Sequence, residues 1–170
     1  VSFALCWNHP IGVLNRFSNL KCIASMGAGV DHLLQDPGLP EVPVVRVVDP
    51  SMARSMTEYL LMAVLSRMRQ FDLYRRDRRG RAWHPRVPEQ APSVRIGIMG
   101  LGQLGGHAAR TFAALLFPVS GWSRSPRVVD GVDTFAGEEG LESFLSDLRM
   151  LICLLPLTAR TRDILCQKTF

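Results

Sequence analysis

A glycine-rich turn near the middle of the chain constrains the fold most strongly. The apolar segment Arg95–Met99 runs into Gly100-Leu-Gly102-Gln-Leu-Gly105 and then into a helix-like segment. Gly100 allows a tight strand-to-helix turn, Gly102 allows a ligand to approach the backbone, and Gly105 allows the helix to pack closely on the strand. The pattern predicts a βα unit whose helix N-terminus presents free N–H groups to the pyrophosphate of a dinucleotide.

Apolar runs alternate with helical patterns along the rest of the chain, which is typical of βαβ units and a parallel sheet. A proline-containing segment, residues 80–93, reads as a linker. The predicted fold class is α/β, with residues 1–92 in one parallel-sheet domain and residues 93–170 in a second. The predicted strands are Val1–Trp7, Leu20–Ser25, Val42–Val48, Val94–Met99, Pro118–Trp122 and Met150–Leu155, and the predicted helices cover about 51–79, 103–117 and 138–148.

The end of the strand after the glycine turn predicts which dinucleotide is bound. An acidic residue there would hold the ribose 2′-hydroxyl of NAD. The chain instead has Ser123-Arg124-Ser125-Pro126-Arg127. A guanidinium can pair bidentately with a 2′-phosphate, and serine hydroxyls can donate to it. This favours NADP(H) over NAD(H), and the alternative is a solvated basic turn.

A second glycine turn, Met26–Asp31, also follows a strand and precedes a helix. Its amides could hold a small anion such as a carboxylate. A simple tight turn without a ligand explains the same residues equally well.

Composition narrows the class of protein further. The 170 residues are 47% apolar and carry a net charge of +5. No apolar window reaches the roughly 18 residues of a membrane span, and no signal peptide opens the chain. Cys6, Cys22 and Cys153 lie in apolar strand-like runs, which predicts buried, reduced thiols and a cytoplasmic location. No metal site is predicted.

Nine segments, taken together, give a family resemblance. The chain resembles the D-isomer-specific 2-hydroxyacid dehydrogenases, and within them the bacterial glyoxylate/hydroxypyruvate reductase A group. The similar segments come in family order over nearly the whole chain, and both ends look cut from a longer protein. They are the glycine turn, Trp7–Pro10, Met26–Asp31, Val42–Arg46, Met56–Tyr59, Arg69–Asp72, Gly121–Arg124, Thr134–Gly137 and Leu154–Thr158.

The resemblance implies two Rossmann-like or flavodoxin-like parallel-sheet domains, both incomplete in this chain. Residues 1–92 would be a partial substrate/catalytic domain with an inter-domain helix and an arm, and residues 93–170 a partial NAD(P)-binding domain.

The resemblance also implies roles for individual residues. The backbone of Ala28 and Gly29 would bind the substrate carboxylate, with Trp7 lining the same pocket. Trp83 would reach towards a neighbouring subunit, so that the full-length protein is expected to be a homodimer. The implied cofactor-binding residues are Gly100, Gly102, Gln103, Leu104 and Gly105 at the pyrophosphate, Ser123, Arg124 and Ser125 at the 2′-phosphate, and Leu155, Pro156, Leu157, Thr161, Met52 and Met56 elsewhere along the cofactor.

The resemblance also implies the reaction, which is reversible hydride transfer to a small 2-keto acid such as glyoxylate or hydroxypyruvate. The family's Arg, acidic residue and His lie beyond Phe170, so no catalytic residue is assigned and the 170 residues alone are expected to be inactive. His9 has no evident carboxylate partner in the sequence. His9, His32, His84 and His107 are all expected to have surface or packing roles.

Two alternatives to a reductase remain open. One is a chain that binds cofactor but does not catalyse. The other is a nucleic-acid or partner-binding module, because residues 67–86 hold eight arginines interspersed with aromatic residues. Asp72 and Asp77 interrupt that basic segment and the apolar positions keep helical spacing, which favours a solvated helix face. We therefore predict no nucleic-acid partner and no membrane association.

Overall fold

The structure of the chain, a computed structural model, describes residues 1–167 and 169. It contains two compact units, which are described separately. The first comprises Val1–Asp49 and Pro156–Cys166, and the second comprises Pro50–Leu155 with Gln167 and Thr169. The units divide at 49/50 because the helix that starts at Pro50 packs within the second unit. The domain boundary at 92/93 stays a prediction.

The first unit is built on a three-stranded parallel sheet of β1 (Phe3–Cys6), β2 (Cys22–Ser25) and β3 (Val44–Arg46), in that order. The short helix α1 (Asp31–Leu34) follows β2. Ile23 and Leu33 are fully buried, and Cys6, Leu14 and Leu20 complete this core. The three strands are the predicted ones with shorter bounds, and their carboxyl ends bring Trp7, Ser25 and Arg46 to one edge.

The second unit begins with two helices, α2 (Pro50–Met68) and α3 (Phe71–Arg79). One helix over residues 51–79 was predicted, and this is wrong because Gln70 adopts the left-handed conformation with φ 53°. The buried stripe of α2 ends at Met68, whereas α3 buries none of its residues. With no buried side chains on α3, the packing that holds α2 in place does not extend past the break.

The sheet of the second unit has four parallel strands in the order β6-β5-β4-β7. They are β4 (Ile96–Met99), β5 (Val119–Ser123), β6 (Asp133–Ala136) and β7 (Met150–Cys153). The helices α4 (Gln103–Ala114) and α5 (Glu139–Leu145) alternate with them. Every residue of β4 and β5 is buried, which fits central strands of a parallel sheet. The strand β6 was not predicted, because this edge strand has no buried residue and no continuous apolar run.

Two helices end earlier than predicted. Leu116 is left-handed, with φ 66°, so α4 stops at Ala114 and Phe117 turns back to contact the ring of Phe112. Ser146 is extended, with φ −60° and ψ 139°, so α5 stops at Leu145. The apolar spacing continues past both ends and did not reveal these changes of backbone direction.

Cys153 also corrects an expectation. Cys6 is buried and Cys22 is half-buried, but Cys153 is exposed because β7 lies at the edge of its sheet. Burial raises the pKa of the Cys6 thiol.

Among the described residues, no helix is both long enough and apolar enough to cross a lipid bilayer.

The contact between α2 and α4 includes a buried polar link that can be tested. The Thr57 hydroxyl donates to the carbonyl of Ala53 at 2.8 Å, so it accepts from Nδ1 of His107, also at 2.8 Å. Thr57→Val removes the acceptor and leaves a partly buried N–H without a partner, so we expect the free energy of unfolding to fall by about 1–3 kcal/mol. Urea unfolding measures this. Thr57→Ser, which keeps the hydroxyl, is the control, and equal stability of the Val variant and the wild type would contradict the link.

Candidate cofactor and substrate sites

The turn between β4 and α4 needs glycine at two positions for reasons visible in the packing. Gly100 has φ 98°, and a Cβ there would lie 3.1 Å from the carbonyl of Leu154. A Cβ on Gly105 would overlap the carbonyl oxygen of Gly100. The strand, the turn and the first turn of α4 therefore pack too closely for any side chain at Gly105.

Gly102 is different, because a Cβ there would have no protein atom within 4 Å. Its backbone is extended, with φ −74° and ψ −158°, so the protein itself does not require glycine here. The open space above Gly102 fits a ligand that approaches the backbone closely, as a pyrophosphate does.

The start of α4 leaves donors free for such a ligand. The first bond of the helical ladder runs from the N–H of Gly106 to the carbonyl of Gly102, at 2.8 Å. The N–H groups of Gln103, Leu104 and Gly105 come before it and donate to no acceptor among residues 1–167 and 169. These amides and the helix dipole together form an anion-binding turn of the kind that holds phosphates.

The end of β5 is arranged differently from the prediction. Ser123 is buried, and its hydroxyl donates to the carbonyl of Ser125 at 2.8 Å. Its proton is therefore unavailable to a phosphate unless that bond breaks. Arg124, Ser125 and Arg127 are exposed. The 2′-phosphate role of Ser123, Arg124 and Ser125 stays a prediction, and the structure favours the arginines as donors.

The other predicted cofactor residues lie on two separate parts of the chain. In the second unit, the Leu155 side chain lies close to Gly100, Met52 is exposed and Met56 packs against the core. Pro156, Leu157 and Thr161 form a turn in the first unit, where the Thr161 hydroxyl donates to the Pro156 carbonyl at 2.5 Å. Their contact with a cofactor stays a prediction.

The second glycine turn is closed by Ser25, which is fully buried. Its hydroxyl donates to the carbonyl of Gly29 at 2.8 Å and accepts from the N–H of Gly27 at 3.1 Å. The amides of Ala28 and Gly29 donate to no protein acceptor in the described part of the chain. Two neighbouring free amides are the donors that a carboxylate needs.

Two side chains flank this turn. Trp7 is 61% exposed and lies against Gly27, where a Cβ would overlap the indole. Arg46, at the end of β3, donates from Nη1 to the carbonyl of Ala28 at 3.2 Å. Arg46 was not among the site residues predicted from the sequence. Its position at the carboxyl end of a parallel strand was the signal that could have found it.

The comparisons with known proteins decide the family. The model of the D-isomer-specific 2-hydroxyacid dehydrogenase NAD-binding domain matches residues 61–170. This chain belongs to that family. The match covers the glycine turn, the end of β5 and the turn after β7.

Several members of this family are similar to the chain over almost the whole length of the chain. Glyoxylate/hydroxypyruvate reductase A of Serratia proteamaculans is 42% identical over 99% of the chain, which spans 56% of that relative. A 2-hydroxyacid dehydrogenase of Xanthobacter autotrophicus, solved with NADPH and MES, is 40% identical with a TM-score of 0.94, covering 99% of this chain and 54% of its own. The NADPH-dependent glyoxylate/hydroxypyruvate reductase of Sinorhizobium meliloti, solved with NADP and sulfate, is 42% identical with a TM-score of 0.89. The match covers 95% of this chain and 51% of that reductase. The chain thus spans about half the length of the relatives it matches.

The contacts of His9 differ from a further expectation. We expected no carboxylate partner, but Nε2 of His9 lies 3.2 Å from Oδ2 of Asp36, and the two side chains are 7% and 1% exposed. The sequence separates them by 27 positions, and only the fold brings them together. Asp36 also accepts from the N–H groups of Gly12 and Gly38. The pair joins two loops of the first unit, which is a packing role.

The contacts of Asp36 with Gly12, Gly38 and His9, here called the Asp36 clamp, predict how the stability of the chain depends on pH. The hydrogen bond from Gly12, partly opposed by burial, holds the pKa of Asp36 below its ordinary value, with Gly38 and His9 adding to the lowering. The stabilisation is therefore complete above the unfolded-state pKa of about 3.9 and is lost as pH falls through the lower folded-state value. We expect Asp36→Asn to melt below the wild type at pH 7, with the difference shrinking as pH falls below about 4. Thermal unfolding across pH measures this, Asp130→Asn is the exposed control, and a pH-independent difference would contradict it.

The arm that follows α3 is held by an ion pair. Asp77 lies 2.6 Å from Nη1 of Arg86, and the guanidinium of Arg86 lies 4.9 Å from the centre of the Tyr74 ring. Arg86 lowers the pKa of Asp77, and Asp77 raises the pKa of Arg86. Trp83, within this arm, is 88% exposed. Its contact with a neighbouring subunit stays a prediction.

Proposed function

We propose that this chain is the part of an NADPH-dependent 2-keto-acid reductase that holds the cofactor phosphates and the substrate carboxylate. The observation that carries the proposal is the turn at Gly100–Gly105, with open space over Gly102 and free amides at the start of α4. Relatives whose names state NADPH dependence and glyoxylate or hydroxypyruvate reduction support the choice of cofactor and substrate. The division into a substrate/catalytic domain over residues 1–92 and a cofactor domain over residues 93–170 belongs to the same proposal.

Each part of the chain has a defined task in that reaction. When bound, the nicotinamide of NADPH supplies the hydride. The amides of Gln103, Leu104 and Gly105 hold the pyrophosphate, and the amides of Ala28 and Gly29 hold the carboxylate of the keto acid. Arg46 donates to the carbonyl of Ala28 and places a positive charge beside that turn.

The keto oxygen gains negative charge as the hydride arrives, so it needs a cation and a proton donor. We assign neither role to the histidines of this chain, because each contacts a neighbour that explains its position. The contacts are His9 with Asp36, His32 with Trp7, His84 with Asp77, and His107 with Thr57. This favours, as the second candidate, a chain that binds cofactor without turning it over.

One pair of measurements separates the two candidates. NADPH fluorescence on titration with the 170-residue chain reports binding, and NADPH oxidation with glyoxylate or hydroxypyruvate reports turnover. Saturable binding supports the cofactor role in both candidates. Turnover would exclude the silent chain, and binding without turnover would exclude catalysis by these residues alone. Absence of NADPH binding would contradict both.

Two further properties of the full-length protein belong to this proposal. A homodimer is supported by the arm, which presents an almost fully exposed Trp83 on an ion-paired segment. A cytoplasmic location is supported by Cys6, Cys22 and Cys153, which form no disulfide within the described residues. Sedimentation of the full-length protein tests the first, and its location by cell fractionation tests the second.

A further inference from the structure

The hydroxyl group of Ser25 uses its full hydrogen-bonding capacity at the second glycine turn. A hydroxyl has one proton to donate and two lone pairs to accept with. The proton goes to the carbonyl of Gly29 at 2.8 Å, and one lone pair accepts from the N–H of Gly27 at 3.1 Å. Nε2 of His32 lies 3.5 Å from the same oxygen. Because the proton of Ser25 is already committed, His32 must carry a proton on Nε2 and donate it to the second lone pair.

A second contact holds the ring of His32. Its centre lies 5.4 Å from that of the Trp7 ring, with 50° between the two planes. Trp7 in turn lies against Gly27, where a Cβ would overlap the indole. His32 therefore reaches the turn by two routes, through the hydroxyl of Ser25 and through the indole of Trp7.

The bonds around the turn fix the directions of its peptide units. In a planar trans peptide the carbonyl of one residue and the N–H of the next point in opposite directions. Arg46 donates to the carbonyl of Ala28 at 3.2 Å, so the N–H of Gly29 points away from Arg46. Ser25 holds the next unit at the carbonyl of Gly29 and holds an earlier unit at the N–H of Gly27. The unit that carries the N–H of Ala28 lies between these held units.

The charges beside the turn are of both signs. Oδ1 of Asp31 would lie 2.7 Å from a Cβ on Gly29, and the guanidinium of Arg46 contacts the carbonyl of Ala28. A carboxylate and a cation therefore both lie close to the two free amides. With opposite charges present, the directions of the amides matter most for an anion, because donors that are already in place need no reorganisation when the ligand arrives.

We propose that Ser25 is a positioning residue for the substrate carboxylate and that His32 acts through it. Ser25 is fully buried, so it acts on a ligand only through the backbone that it holds. The Nε2 proton of His32 keeps the hydroxyl of Ser25 directed at Gly29, and the amides of Ala28 and Gly29 stay free for the carboxylate. The inference rests on the proposed function, since it concerns the turn to which the substrate carboxylate is assigned.

The test follows the backbone amides of Ala28 and Gly29 by two-dimensional NMR spectroscopy of the whole chain during titration with oxamate, a stable analogue of a 2-keto acid. Both amide proton signals of the wild type are expected to move, and the shift against oxamate concentration gives the Kd. Ethyl oxamate, in which the carboxylate is esterified, is the control ligand and is expected to leave both signals in place.

His32→Met and His32→Gln form a matched pair of variants. Both remove the ring that contacts Trp7, and their side chains are similar in length, but only glutamine has an N–H to donate to Ser25. His32→Met is expected to raise the Kd for oxamate about fivefold, and His32→Gln to keep it within about twofold of the wild type. Ser25→Ala is expected to raise it about tenfold or more, because Gly27 and Gly29 both lose a partner.

The amide signals of β1, β2 and β3 establish whether the first unit is folded in each variant. If Ser25→Ala is unfolded, the two His32 variants still decide, because His32 is only half-buried. Wild-type Kd values in folded Ser25→Ala or in His32→Met would overturn the inference and leave the proposed function intact. Equal weakening by methionine and glutamine would assign the effect to the Trp7 contact and overturn the role of the Nε2 proton. If oxamate moves neither amide signal of the wild type, the proposed carboxylate site fails and the inference fails with it.

Discussion

Alanine at Gly102 is expected to weaken NADPH binding strongly while leaving the fold of the chain unchanged. A Cβ at this position meets no protein atom within 4 Å, and the backbone there has φ −74°, which any residue can adopt. The methyl group would instead occupy the space through which a pyrophosphate reaches the amides of α4. We expect the Kd for NADPH to rise at least about tenfold, which corresponds to about 1.4 kcal/mol.

The neighbouring Gly106→Ala variant is the control for folding, because its Cβ would lie 3.7 Å from the carbonyl oxygen of Leu101, which is ordinary contact. Gly106 lines the same cleft as Gly102, so the control for binding is Gly80→Ala. A Cβ at Gly80 would lie 3.6 Å from the carbonyl oxygen of Asp77, and both folding and binding should persist in that variant. Circular dichroism and thermal unfolding establish that each variant is folded, and fluorescence titration gives the Kd. If Gly102→Ala is folded and binds NADPH as the wild type does, the cofactor phosphates do not pass over Gly102.

Alanine at Gly105 is expected to damage the fold itself. Its Cβ would overlap the carbonyl oxygen of Gly100, and the γ2 methyl group of Ile98 lies close by as well. Both neighbours belong to the central strand and its turn, so relief requires α4 to move away from the sheet. Overpacking of this kind costs about 3 kcal/mol or more when the backbone must shift.

Urea unfolding of Gly105→Ala, with Gly106→Ala as the control, measures that loss. The two glycines are adjacent on α4, so the loss of helical glycine is the same in both variants and only the packing differs. Wild-type stability in Gly105→Ala would show that α4 does not pack on the turn as described. Loss of NADPH binding alone, with full stability, would assign Gly105 to the ligand instead of the fold.

The glycine turn could be predicted from the sequence because its causes are local. A strand, three glycines at fixed spacing and a helix occupy consecutive residues, and the left-handed Gly100 and the close approach of Gly105 to it both lie within that segment. The parallel strands around it were also predictable, since their apolar runs are continuous. The family resemblance rested on the same segments, and the match to residues 61–170 confirms it.

Other features depend on contacts that no local pattern contains. The strand β6 pairs with β5 although its own residues are at most half-buried. The break at Gln70 is a single left-handed residue inside an apolar repeat. Asp36 reaches His9 only through the fold of the first unit. The helix bounds, the edge strand and the clamp therefore had to come from the structure.

Ser123 shows a similar limit within the candidate site. Its sequence context suggested a hydroxyl that donates to a phosphate, but the strand end turns so that this hydroxyl donates to Ser125. Residue type indicated the charge of the ligand, whereas local hydrogen bonding decides which side chains remain free for it.

The central claim, that the turn at Gly100–Gly105 binds a phosphorylated nicotinamide cofactor, is tested most directly by titrating the 170-residue chain with NADPH and with NADH under the same conditions. We expect saturable binding of NADPH with a Kd at least about tenfold below that of NADH. Absence of binding, or equal Kd values for the two cofactors, would contradict it.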